Sequence, residues 1–177
     1  MKKLIISAIT VIAILFGIYT IVIMYPKEIN LNTQGMKYQL GNNTIEKVVN
    51  IKINGKIYSS INGNKTFKGT IDVEGENLPV PSDQRQLIIN LSDKLQGGVI
   101  SYAGYDQGKP FTYAYGGIFF NKNFSKATLY VYNKNDASGG WNVDDGLMIS
   151  LPASTRSEAL DISNELMRNS LNGYILK

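Results

Sequence analysis

The apolar positions of the chain follow three periods in turn. Residues 4–25 hold no charge; Lys2 and Lys3 precede the run, and Pro26 and Lys27 close it. A helix over these 22 residues reaches about 33 Å at about 1.5 Å per residue, enough for a hydrocarbon core of about 30 Å. A helix apolar on all faces belongs in a bilayer or deep in a large core. A cleaved secretory signal has a shorter apolar stretch, about 7–15 residues, before a small-x-small site. Here Ile21, Val22, Ile23, Met24 and Tyr25 end the run, with no such site. The reading is therefore an uncleaved signal-anchor over 1–27, followed by a polar tether over 28–35.

From residue 36 the period changes to two. Val49, Ile51 and Ile53 fall on one face of a strand that the pair Asn54-Gly55 is expected to turn as a two-residue hairpin. A second Asn-Gly at 62–63 leads into Phe67, Gly69, Ile71 and Val73, again on one face. Pro79 and Pro81 break the sheet, since proline lacks a ladder donor. Strand patterns then recur over 86–91, 97–105, 111–120, 127–132 and 146–152. The last period is helical. Thr155 and Glu158 make a capping box, and Ala159, Ile162, Leu166 and Leu160, Met167, Leu171 line an apolar stripe, with Gly173 as the expected cap. The fold class read from these periods is mainly β. It is an antiparallel sandwich or partly open barrel of about 8–9 strands, with one C-terminal amphipathic helix over 155–171, the whole forming an extracytoplasmic domain over 36–177.

Composition narrows the chemistry. The 177 residues include no cysteine and no histidine. Disulfides, thiol nucleophiles and thiolate metal sites are excluded. So are Ser-His-Asp and Cys-His hydrolases and histidine-ligated transition metals. Carboxylate chemistry and oxygen-ligand cations remain. The net charge of +4 comes largely from the anchor: 18 basic residues less Lys2, Lys3 and Lys27 leave 15 against 14 acidic ones, or +1. Basic residues are spread singly along the sequence, so no nucleic-acid partner is expected. Lys2 and Lys3, against a Lys27 that Glu28 follows, favour an inside N-terminus and an outside domain. The expected localisation is the cell membrane, single-pass.

Two stretches carry candidate contacts. Pairing 113–120 with 127–132 so that Phe120 meets Ala127 brings Ile118 to Leu129 and Gly116 to Val131. The other face then gathers Tyr113, Tyr115, Phe119, Tyr130 and Tyr132. Tyrosine suits either a core or a platform for sugar rings or a peptide, having an apolar body and a polar tip. The second stretch, 133–146, holds Asp136, Asp144, Asp145 and the single Trp141. It reads either as a solvated loop with Trp141 tucked into the core edge or, from its length, as a binding loop; its carboxylates also suit Ca²⁺ as a metal site, although the spacing departs from the EF-hand pattern. No other cofactor and no catalytic residue is expected. The function read here is a membrane-anchored, non-catalytic binding or assembly module for an envelope protein or glycan. The alternatives are a small carboxylate-dependent hydrolase of envelope glycan, using Asp106, Asp144 or Asp145, and a secreted domain whose signal is cleaved.

Overall fold

The computed structural model describes the chain apart from residues 1, 43, 93–95 and 134–139 and the side chains of 2–6, 8 and 23. An N-terminal helix, α1 (Lys2–Met24), leads into β1 (Lys27–Gln39), β2 (Glu46–Ser59) and β3 (Lys65–Val73). A loop carrying one 3-10 turn at Ser82–Gln84 precedes β4 (Leu87–Leu91). Then come β5 (Gly97–Asp106), β6 (Lys109–Phe120), β7 (Ala127–Val131), β8 (Leu147–Leu151) and α2 (Arg156–Met167).

All eight strands belong to one antiparallel sheet in the order β4-β3-β2-β1-β8-β7-β6-β5. Consecutive strands are neighbours, and β1 pairs with β8 to join the two halves. The outermost strands bend toward each other. Ser92 N–H donates to the Gly97 carbonyl at 2.9 Å, and a Cβ at Gly98 would lie 2.5 Å from Ile89 Cγ2. The result is a nearly closed, barrel-like sheet, the arrangement that leaves fewest unpaired strand edges.

Alternation fills its interior. Val49, Ile51, Ile53, Phe67, Ile71 and Ile89 point inward, joined by Ile118, Phe120, Leu129 and Ile149. The pairing of β6 with β7 has the expected register, with Gly116 on Val131, Ile118 on Leu129 and Phe120 on Ala127.

Three expectations are corrected. Residues 28–35 are not a tether but most of β1: Ile29 is buried and Leu31 half-buried inside the barrel, while Asn30, Asn32 and Gln34 face out and mask the period. Asn54-Gly55 makes no hairpin. β2 runs straight through it, and the turn falls at the second Asn-Gly. Gly55 stands opposite Gly69, and a Cβ on Gly69 would sit 2.6 Å from Gly55 Cα and 2.8 Å from the Phe67 ring. Both glycines therefore serve close approach within the sheet. The C-terminal helix stops at Met167 rather than 171, and Gly173, at a φ of +89°, lies in the turns beyond it.

The capping box of α2 forms as expected. Thr155 Oγ1 accepts from Glu158 N–H, and the Glu158 carboxylate accepts from the N–H groups of Ser154 and Thr155. These bonds hold the Glu158 carboxyl below its ordinary range. α2 lies on the outside of the barrel, where Ala159, Ile162 and Met167 cover Met36, Tyr38 and Met148. Tyr38 is fully buried there. Its hydroxyl donates to Ser163 Oγ at 2.8 Å, while Ser150 Oγ, 3.4 Å away, lies 2.8 Å from Thr128 Oγ1. One chain of hydroxyls thus ties β1, β7, β8 and α2.

By contrast, α1 has its described bulky side chains open on every side, from Met24 at 49% exposure to Ile21 at 69%. Its uninterrupted described side chains run over 9–22, and among the described residues no helix is long and apolar enough to cross a membrane.

Tyr38→Phe removes the central hydroxyl and strands its partners. The expected loss is about 1–3 kcal/mol, read as a lower denaturant midpoint with an unchanged slope.

Candidate functional site

The expected aromatic face is divided by one bulge. Ile100 pairs with Gly116 and Ser101 with Ala114, so Tyr115 is an extra residue on β6. Such a residue shifts the phase of alternation by one. Tyr113 and Tyr115 consequently turn into the barrel with Ile118 and Phe120, while Phe119 turns out. The bulge needs Gly116: a Cβ there would collide with the Tyr130 carbonyl and lie 3.1 Å from Val131 Cα.

Outside the barrel, Phe119, Tyr130, Tyr132 and Trp141 come together. Tyr130 is the hub, with ring centroids at 6.1 Å from Phe119, 5.7 Å from Tyr132 and 5.3 Å from Trp141. Burial, with Tyr132 beside it, pushes the Tyr130 phenol up to about 12. This group continues the apolar layer beneath α2. The two candidate stretches thus meet at Tyr130 and Trp141.

The carboxylates of the 133–146 loop do not converge. Asp144 and Asp145 are exposed. The Asp144 carboxylate accepts from the Tyr174 hydroxyl at 3.1 Å, and the Asp145 carbonyl accepts from Gln39 Nε2 at 3.1 Å. Asp136 lies outside the described residues. Among the described residues no group of three or more carboxylates could hold a metal ion. Asp106 stands at the far tip of the β5–β6 hairpin, opposite Lys109.

A concave feature lies elsewhere. A cleft of about 510 Å³ opens beside β1, β2 and β3, where Asn32, Asn50, Lys52 and Asp72 present side chains. The loop after β3 supplies Glu74, Glu76 and Leu78, and Arg85 closes the far side. The volume falls in the range of small-ligand sites. Register builds it: Asn32 pairs with Lys52, and Lys52 with Asp72, all outward positions of their strands. Asn50 Nδ2 donates to Glu74 Oε2 at 2.7 Å, Lys37 pairs with Glu76, and Arg85 Nε donates to the Val80 carbonyl at 3.0 Å. Lys52 and Asp72 have no ion-pair partner among the described residues.

The inward tyrosines stand next to this cleft. Tyr102 and Tyr113 stack at 6.4 Å. Burial, with Asp72 adding to it and Arg85 opposing it, pushes the Tyr102 phenol up to about 12. Burial, followed by the Glu76 carboxylate, pushes Tyr115 higher still. Tyr115 is 3% exposed, and its hydroxyl has no hydrogen-bond partner among the described residues.

Sequence reasoning missed the cleft because its residues come from four separate segments. The outward positions of β1, β2 and β3 were the available signal, but using it requires β1 to be a strand and β2 to continue past Gly55.

The architecture is that of a small antiparallel barrel with one helix on its wall and a polar cleft at one end. The chain matches no protein-family model, no curated protein and no solved structure.

The raised phenols give an alkaline limit. Tyr102 and Tyr130 titrate near 10 when unfolded and near 12 when folded. Their contribution to stability is complete below pH 10 and is lost as pH rises through 12. Tyrosinate absorbance from Tyr102 and Tyr130 is expected to rise only as pH approaches 12, together with loss of circular dichroism.

Proposed function

We propose that this protein is a single-pass, membrane-anchored binding module whose barrel, held outside the cytoplasm, captures a protein or glycan of the cell envelope without catalysing a reaction on it. The observation that carries this reading is the state of α1. It is a 23-residue helix whose described apolar side chains stand exposed around its whole circumference, while the barrel completes its own core without it. Bulky apolar area left in water is unfavourable by about 25 cal/mol per Å², and a bilayer removes that exposure along the charge-free run 4–25. No segment of the described barrel covers this helix.

The cleft offers the binding surface. It mixes amides, both signs of charge and apolar Leu78 and Val73. Such a wall suits the hydroxyls and amides of a saccharide or an extended peptide. The outer aromatic group around Tyr130 and Trp141 flanks the other side of the barrel as a second contact.

Two experiments test the reading. Membranes washed at alkaline pH are expected to retain the protein. Ile14→Lys with Ile18→Lys costs about 2.5–3.5 kcal/mol of insertion per residue and is expected to release it. Protease added to intact cells is expected to remove a C-terminal tag; a protected tag would place the barrel in the cytoplasm. For the cleft, Lys52→Ala with Asp72→Ala is expected to lower retention of envelope glycans or crosslinked neighbours about tenfold or more, the loss of one or two charge-assisted bonds, with an unchanged thermal midpoint. Equal retention by this variant would move the site away from the cleft.

A further inference from the structure

The lysines that look dispersed in the sequence are gathered by the fold. Lys27 opens β1 opposite Ile57, which sets Lys56 against Glu28 and Lys68 against Lys56. The β6–β7 turn folds over the same end. Lys27 Nζ donates to the Asn123 carbonyl at 3.2 Å and lies 5.3 Å from the Phe124 ring, with Lys65 Nζ 5.9 Å from that ring. Lys122 is exposed two residues away.

Two acids here are already paired: Glu28 with Lys56 at 3.4 Å and Glu165 with Lys126 at 2.8 Å. Lys27, Lys65, Lys68 and Lys122 have no acidic partner among the described residues. The opposite end mixes signs: Lys37 pairs with Glu76, Lys109 stands opposite Asp106, and Arg85 lines the same cleft as Glu74. The excess of positive charge is therefore gathered at the end where β1 begins.

The basic end is also the end at which α1 enters. Two residues, Tyr25 and Pro26, separate Met24 from Lys27, a reach of about 11 Å at about 3.8 Å per Cα step. The tip of the β2–β3 hairpin points from this same end, with Ile61 70% exposed. An unpartnered apolar tip among lysines suits a lipid interface, where chain and headgroup regions meet.

We propose that this end of the barrel rests on anionic phospholipid headgroups. Lys27, Lys65, Lys68 and Lys122 face lipid phosphates, and Ile61 enters the interface. The inference rests on the membrane anchor proposed above. It adds that the barrel is held end-on against the bilayer, with its cleft turned away. Electrostatic attraction of lysines to an anionic surface acts within about one Debye length, about 8–10 Å at ordinary salt, and the two-residue link sets Lys27 at about that distance from the end of α1.

The chain has no cysteine, so Ile61→Cys in the full-length protein takes a single environment-sensitive fluorophore. The labelled protein is reconstituted into phosphatidylcholine vesicles with or without phosphatidylglycerol. Contact predicts blue-shifted emission and about threefold weaker quenching by aqueous iodide in the anionic vesicles, a difference that disappears in about 1 M salt, where the Debye length falls to about 3 Å. Free inorganic phosphate added to the neutral vesicles is expected to give no shift. Lys68→Glu with Lys122→Glu, whose thermal midpoint serves as the folding control, is expected to abolish the lipid difference. Equal emission and quenching in both vesicles, with protein floating in both, overturns the inference and leaves the anchor intact. Flotation with neither overturns both. Flotation with the anionic vesicles alone supports the basic end and removes the anchor.

Discussion

The pairing of β1 with β8 holds the molecule together. It is short, from Met36 on Ser150 to Gln39 on Leu147, yet it is the strand pairing that joins the two four-stranded halves. Its outer surface is made by Tyr38 and Ser150, and both are fully buried under α2. A buried hydroxyl left unpaired is costly, so the Tyr38, Ser150, Thr128 and Ser163 hydroxyls satisfy one another across four elements. The position of the helix is thereby coupled to closure of the barrel. Arg156 strengthens the seam: its guanidinium donates to the Gln39 carbonyl at 2.6 Å and sits 5.5 Å from the Tyr38 ring.

Much of the barrel was legible because period-two alternation with one buried face specifies both pairing and direction. The β6–β7 register followed from Ile118, Phe120, Leu129 and Val131 alone, and the α2 cap from Thr155 and Glu158. Failures fell where a residue type has two physical uses. Asn-Gly suits a tight turn, but Gly55 exists to let Gly69 approach beneath Phe67. Leu31 and Ile29 are too few to advertise a strand among Asn and Gln. Gly116 permits a bulge that no pattern announces, and that single extra residue sent Tyr113 and Tyr115 inward. The charge segregation was invisible for a related reason. Lysines at 27, 65, 68 and 122 become neighbours only when the strand ends are aligned.

The two ends of the barrel are closed in different ways. At the end near α1, Phe124 caps Phe120, which in turn meets Phe67, at ring separations typical of aromatic cores. At the other end the loop after β3 lowers Val80 into the interior and sets Glu76 against Lys37. The first closure is apolar and dense. The second is polar and leaves the Tyr115 hydroxyl unanswered beside the cleft. Under the proposed anchoring, the firm end meets the membrane and the adaptable end meets the outside.

The direct passage from α1 into β1 has a geometric consequence. A domain on a long flexible linker sweeps a volume and finds partners by wandering. Here only Tyr25 and Pro26 intervene, and proline restricts one of the two. Asn32, at the cleft, lies five residues along β1 from Lys27, about 16 Å of strand. In a bilayer-anchored chain this fixes the height of the cleft above the headgroups like a short mast. A partner must itself reach down to that level. Selection by altitude would then precede selection by chemistry: bulky molecules held far from the membrane would miss the cleft, and slender strands lying close to the lipid would meet it first.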